Sequence, residues 1–222
     1  MDRKNFNLYY LKIFMGLINF IILGFFALVF FLTLNQINDN FEARSFLENI
    51  TYMPMEPSGA IVIMFVAFFL LLYIIEIRGE KRGTAKLSIV AYGIELLLCL
   101  LIIKLLYVTY NGILLLVVAD IVTAIRDKHN RVLFLVIMGI IFIGSDYEIV
   151  SMVVPMISFQ EFLGVYPAKI STMILGIKNI LIAVNMIAFI AYMIILMRNQ
   201  MKENARIALL NLQLQTANMR LK

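Results

Sequence analysis

The sequence predicts an all-α fold: a polytopic membrane helical bundle with six transmembrane helices, N- and C-termini cytoplasmic, and a last helix continuing into a cytoplasmic coiled coil. Three observations carry this expectation. First, the 222 residues are 63% hydrophobic and 15% charged, whereas soluble domains carry roughly a quarter charged residues. Second, the apolar residues fall in long runs such as AIVIMFVAFFLLLYII (60–75). In lipid only helices and closed barrels satisfy their own backbone, and these runs lack the alternation of barrel strands. Third, the basic residues between the runs gather on one side.

At about 20 residues per crossing, the runs divide in order. Span one is Leu11–Leu34. A short basic start (Arg3, Lys4) precedes it, but it is too long for a signal-peptide core and lacks a small-residue cleavage site. Span two is Ser58–Ile77. Leu87–Tyr107 and Thr109–Ile125 form spans three and four, joined at the turn signal Tyr110-Asn111-Gly112. Span five is Val132–Val150 and span six Lys169–Met197. With this count Arg78, Lys81, Arg82, Lys86, Arg126, Lys128 and Arg131 share a side with both basic termini. The other side holds Arg44 and Lys169. That asymmetry places both termini in the cytoplasm and the chain in the plasma (inner) membrane. Five spans would split the basic loops across the bilayer.

The net charge of +5 is explained by basic residues facing anionic headgroups, so lipid is the expected partner and nucleic acid is not. Cys99 is a single cysteine inside span three, which excludes an intrachain disulfide. Asn49-Ile50-Thr51 fits a glycosylation sequon. No phosphate loop, dinucleotide turn or metal-spaced His/Cys cluster occurs, so no cofactor or metal is expected in this chain. His129, in the inner loop RDKHNR, reads as a topology loop residue.

The expected outer surface is acidic and partly apolar. Asp39, Glu42, Glu48 and Glu56 lie in the first outer loop, 35–57. The second, SDYEIVSMVVPMISFQEFLGVYPAK (145–169), reads as an interfacial or shallow re-entrant segment. Tyr147, Phe159, Phe162 and Tyr166 are expected at headgroup level. Asp146, Glu148, Phe159, Glu161 and Phe162 form the candidate sensing surface, suited to a cationic peptide. Within the spans, Glu95, Asp120, Lys178 and Lys104 are costly in lipid. Lys178 is expected to be neutralised across the bundle by Glu95 or Asp120. Lys104, on the opposite face of its helix from Glu95, is expected to snorkel outward.

No proline interrupts 169–222, so span six should run on as one rigid helix. Beyond Met197, Ile207, Leu210, Leu214, Ala217 and Leu221 recur in steps of three and four, an a/d seam of a coiled coil. Leu209, Leu212 and Met219 form a weaker second stripe. A lone amphipathic helix lying on the inner leaflet is the rival.

A multi-span region followed by the connecting helix MRNQMKENARIALLNLQLQTANMRLK (197–222) resembles bacterial sensor histidine kinases of the class that pairs with NarL-type response regulators. The resemblance implies a six-span sensor domain (1–197) and a signalling helix (198–222), in a chain ending before the kinase core. It implies a homodimer, a downstream kinase domain using ATP and Mg, and a response regulator as partners. His129, followed by Asn130, does not match the family's phosphoacceptor pattern. A small transporter or channel subunit, or an accessory protein docking a partner through its stalk, are the alternatives.

Overall fold

The computed structural model describes residues 3–39, 59–80, 85–125, 128–154 and 156–220. Every regular element among them is helical: α1 (Arg3–Asp39), α2 (Gly59–Glu80), α3 (Ala85–Leu105), α4 (Leu114–Ala124), α5 (Lys128–Gly144), α6 (Tyr147–Ser151), α7 (Phe159–Phe162), a 3-10 turn (Leu163–Val165) and α8 (Ala168–Arg220). The first outer loop and its acidic residues lie outside the described residues, apart from the backbone at its start.

Among the described residues, three stretches are long and apolar enough to cross a membrane: Leu8–Gln36 of α1, Gly59–Arg78 of α2 and Ala168–Thr216 of α8. Each is free of proline, the residue that removes a helix donor and kinks the rod. Antiparallel α1 and α2 meet through Phe20, whose ring lies 5.5 Å from Phe65 and 5.8 Å from Phe69. Lower down, a Cβ on Gly16 would sit 3.5 Å from Leu72, so the two backbones run close there. α2 packs mainly on α3, and α1 mainly on α8.

The expected fourth span is short. α4 has 11 residues, about 16 Å of rise against a hydrocarbon layer of about 30 Å. The chain between α3 and α4 is not an exposed outer hairpin either: Leu106, Tyr110, Ile113 and Leu114 are all buried. α3 ends in a paired-bond cap. The Val108 N–H donates to the Ile103 carbonyl (2.9 Å) and the Tyr107 N–H to the Lys104 carbonyl (3.0 Å). Tyr107 takes the left-handed position that glycine usually fills, at φ 56°, and Val108 follows at φ 58°. Two such non-glycine residues cost on the order of 1–3 kcal/mol each. Burial of the turn holds them. Asn111 pins it sideways, donating to the Phe142 carbonyl near the end of α5 at 3.1 Å.

The segment 156–167 packs against α1 and α8, and here the structure corrects an expectation. Phe159 and Phe162 do not lie at an outer surface. Both are buried, with Phe159 5.4 Å from Phe26 and Phe162 5.4 Å from Phe30, edge to face. The reason is local geometry. Ser158 accepts from the Glu161 N–H at 3.1 Å, and the Glu161 carboxylate accepts from the Ser158 N–H at 2.7 Å. This capping box fixes one helical turn, leaving Glu161 exposed while both phenylalanines turn toward α1. Asp146 likewise caps α6 by accepting from the Glu148 N–H at 3.0 Å, and Asp146 and Glu148 are exposed. Tyr147 donates to the Met156 carbonyl at 3.0 Å and ties the two short helices together.

Candidate functional site

Two buried polar assemblies lie in the bundle. The lower one is ionic. Arg78, at the end of α2, turns inward and contacts two carboxylates: Glu95 of α3 at 2.9 Å and Asp120 of α4. Asp120 also receives Lys12 of α1. The Glu95 side chain is 0% exposed and that of Asp120 3%. The Arg78 guanidinium lies over the Tyr92 ring at 3.7 Å, and Tyr92 leans on Phe134 of α5 at 5.4 Å. Two cations and two carboxylates thus balance, and five helices share the cluster. Arginine suits this place, because its flat fork reaches two carboxylates at once and stacks on a ring.

The upper assembly is a neutral ring of three side chains. Tyr110 donates to Asn19 Oδ1 (2.6 Å) and accepts from Asn185 Nδ2 (2.8 Å), while Asn19 Nδ2 donates to Asn185 Oδ1 (3.1 Å). The remaining amide protons reach the Met15 carbonyl (2.8 Å) and the Gly112 carbonyl (3.2 Å). All three side chains are buried, and full use of their donors and acceptors is what makes such burial tolerable. Gly112 is required by close approach: a Cβ there would stand 2.6 Å from the Tyr110 ring. About two turns further along α8 the link repeats, with Tyr192 donating to the Ala119 carbonyl at 3.2 Å.

These contacts revise the expected charge network. Glu95 and Asp120 do come together, through Arg78 and Lys12 and not through Lys178. Lys178 stands with its ammonium 5.1 Å from the Phe159 ring. Its level on α8 is about 21 Å above that of Tyr192, beside Ala119, too far for a lysine to reach Asp120. Lys104 is exposed at the end of α3 and borders an apolar pocket of about 450 Å³ with Ser145 and Val154. Arg78 is not a solvated topology charge, as expected from its place after span two, since its side chain is 9% exposed. Sequence reasoning placed Tyr110 only as part of a turn and left Lys12, Asn19 and Asn185 without a role. The signal of these last three was present: one lysine and two asparagines inside apolar runs, each obliged to find a partner.

The segment 145–167 is held by electrostatics as well as packing. Two hydrogen bonds to Ser158 hold the Glu161 carboxyl below the usual glutamate range, and desolvation together with the Glu161 charge pushes the Tyr147 phenol up. Among the described residues, no group of three or more His, Cys, Asp or Glu side chains is placed to hold a metal ion.

In α8, the helix emerges from the bundle and continues alone. Ile207 is 49% exposed, Leu210 48% and Leu214 62%. The side chain of Ala217 and the whole of Leu221 lie outside the described residues. The fold and these assemblies define a class: a protein that is all-helical among the described residues, three of whose described helices are long and apolar enough to span a membrane. Comparison with known protein families, with characterised proteins and with solved structures finds no match.

Proposed function

We propose that the chain is the sensing and transmitting part of a membrane receptor, the sensor portion of a two-component histidine kinase of the class pairing with NarL-type regulators. The single observation that carries this reading is the continuity of α8. Its 53 residues, about 80 Å of rise, run without a break from the segment 156–167 to the exposed stripe. Along the way α8 meets the ring at Asn185 and α4 through Tyr192. A displacement of that segment, or of α1 against it, is therefore imposed on the stalk. In the proposed topology α1, α2, α5 and α8 cross the bilayer. α3 and α4 form a hairpin that returns to the cytoplasmic side, so both termini remain there. The stripe Ile207, Leu210, Leu214 pairs with that of a second copy around a two-fold axis, and a kinase domain joined to it responds to the change of register.

Cysteine at Leu210 or Leu214, oxidised in intact membranes, tests the reading. The expected result is a disulfide-linked dimer at these positions, with weak crosslinking at Gln213. Equal yields at all three positions, or none, would refute the paired stalk. The buried charges favour a second reading, a small transporter or channel subunit. Ion flux into liposomes containing the chain would support it, and flux lost with Arg78→Met would tie it to the cluster.

A further inference from the structure

A groove of about 550 Å³ runs along the outside of the α1–α2 pair. Its walls are aromatic: Tyr9 and Phe20 from α1, Phe69 and Tyr73 from α2. These four side chains are 39–65% exposed, so the groove opens sideways toward lipid and not inward. Its lining runs from Tyr9 to Phe20 along α1, about 16 Å, the reach of a lipid acyl chain. Only two charged side chains line it, Lys12 and Glu76. Both lie at the same end, where α1 begins and α2 finishes, which is the cytoplasmic end in the proposed topology.

Those two charges are unlike in their commitments. Lys12 gives one contact to Asp120 and keeps its side chain 21% exposed, and an ammonium has three protons to donate. Glu76 is exposed and, among the described residues, holds no ion pair within 4 Å, although its charge acts on nearby Lys12. The groove mouth thus presents a cation with spare donors near a carboxylate that no close contact neutralises, at the end of an apolar slot.

We propose that this groove is a binding site for a phospholipid with an ammonium headgroup. The acyl chain lies along Phe20 and Phe69, the phosphate accepts from Lys12, and the headgroup ammonium meets Glu76 between the rings of Tyr9 and Tyr73. Aromatic faces attract such a cation. A headgroup without an ammonium places its phosphate at Lys12 but leaves Glu76 facing a negative charge, so the site discriminates by headgroup. Because Lys12 also holds Asp120, lipid occupancy acts directly on the buried ionic cluster.

The test uses the full chain in nanodiscs of equal phosphatidylethanolamine and phosphatidylglycerol, with retained lipid counted by native mass spectrometry. The expected result is one tightly held lipid per chain, enriched in phosphatidylethanolamine on the order of fivefold, which one exposed charge pair can supply. Glu76→Gln should abolish the enrichment but keep the lipid. Leu17→Trp, which fills the exposed slot without touching the core, should displace the lipid. An absence of held lipid, an absence of headgroup preference in the unmodified chain, or a preference that survives both substitutions would each overturn the site. None of these outcomes bears on stalk pairing, which the cysteine test reads separately.

Discussion

Arg78→Met isolates the ionic cluster. The substitution keeps the length of the side chain and removes its charge. Of the two carboxylates that Arg78 contacts, Asp120 keeps Lys12, whereas Glu95 keeps no ion-pair partner among the described residues. The loss therefore falls mainly on Glu95, which is 0% exposed. Removing one member of a buried pair costs about 3–5 kcal/mol, most of it for the stranded charge. The double substitution Arg78→Met with Glu95→Gln strands no charge and should recover most of that loss, ending within about 1–2 kcal/mol of the unmodified chain. Arg78→Lys should fall between, since a lysine cannot reach both carboxylates with one flat fork. Unfolding in mixed detergent micelles by increasing SDS, followed by circular dichroism, measures each variant. A loss under about 1 kcal/mol for Arg78→Met, or a double variant as unstable as the single, would refute the assignment of Arg78 as the shared partner of the buried carboxylates.

Three further outcomes follow from the same geometry. Tyr110→Phe removes one donor and one acceptor from the ring of Asn19 and Asn185, and should lower stability in the SDS assay by about 1–2 kcal/mol. Gly112→Ala forces its methyl into the Tyr110 ring and should cost about 1–3 kcal/mol, whereas Gly24→Ala, with open space around it, should be neutral or slightly stabilising. Ser158→Ala removes the side-chain half of the capping box, so the Glu161 carboxyl should titrate at higher pH than in the unmodified chain, read by carbon NMR of the labelled glutamates. The sign follows from linkage: a carboxyl held low in the folded state adds stability at neutral pH that is lost as pH falls through its folded value. Protection of the 158–162 amides, measured against their intrinsic exchange rates, should therefore fall on acidification more in the unmodified chain than in Ser158→Ala.

How much of this was legible beforehand differs by residue. The helical class, α1, α2 and the length of α8 followed from hydropathy alone, because a lipid-facing rod needs only an unbroken apolar run. Glu95 and Asp120 were identifiable as costly, because burial of a carboxylate is a local fact. Their partners were not. Arg78 sits where a topology charge would sit, and only the side-chain path back into the bundle separates the two roles. The ring was hidden for a different reason. Asn19, Tyr110 and Asn185 are far apart in sequence, and each alone passes as a tolerated polar residue. The segment 156–167 departed from expectation because its aromatic residues are equally suited to a headgroup layer and to a packed interior. The capping box at Ser158 decides which way they face.

The sequence by itself determined that the chain is helical and apolar enough to span a membrane, and that its last helix carries an exposed apolar stripe. These are properties of single helices, set by composition and period. Only the tertiary structure decided that α4 stops short, that Arg78 and not Lys178 neutralises Glu95, and that three distant polar side chains close on one another. Each of those depends on which faces of different helices meet, and a buried polar group takes whichever partner the packing brings within reach.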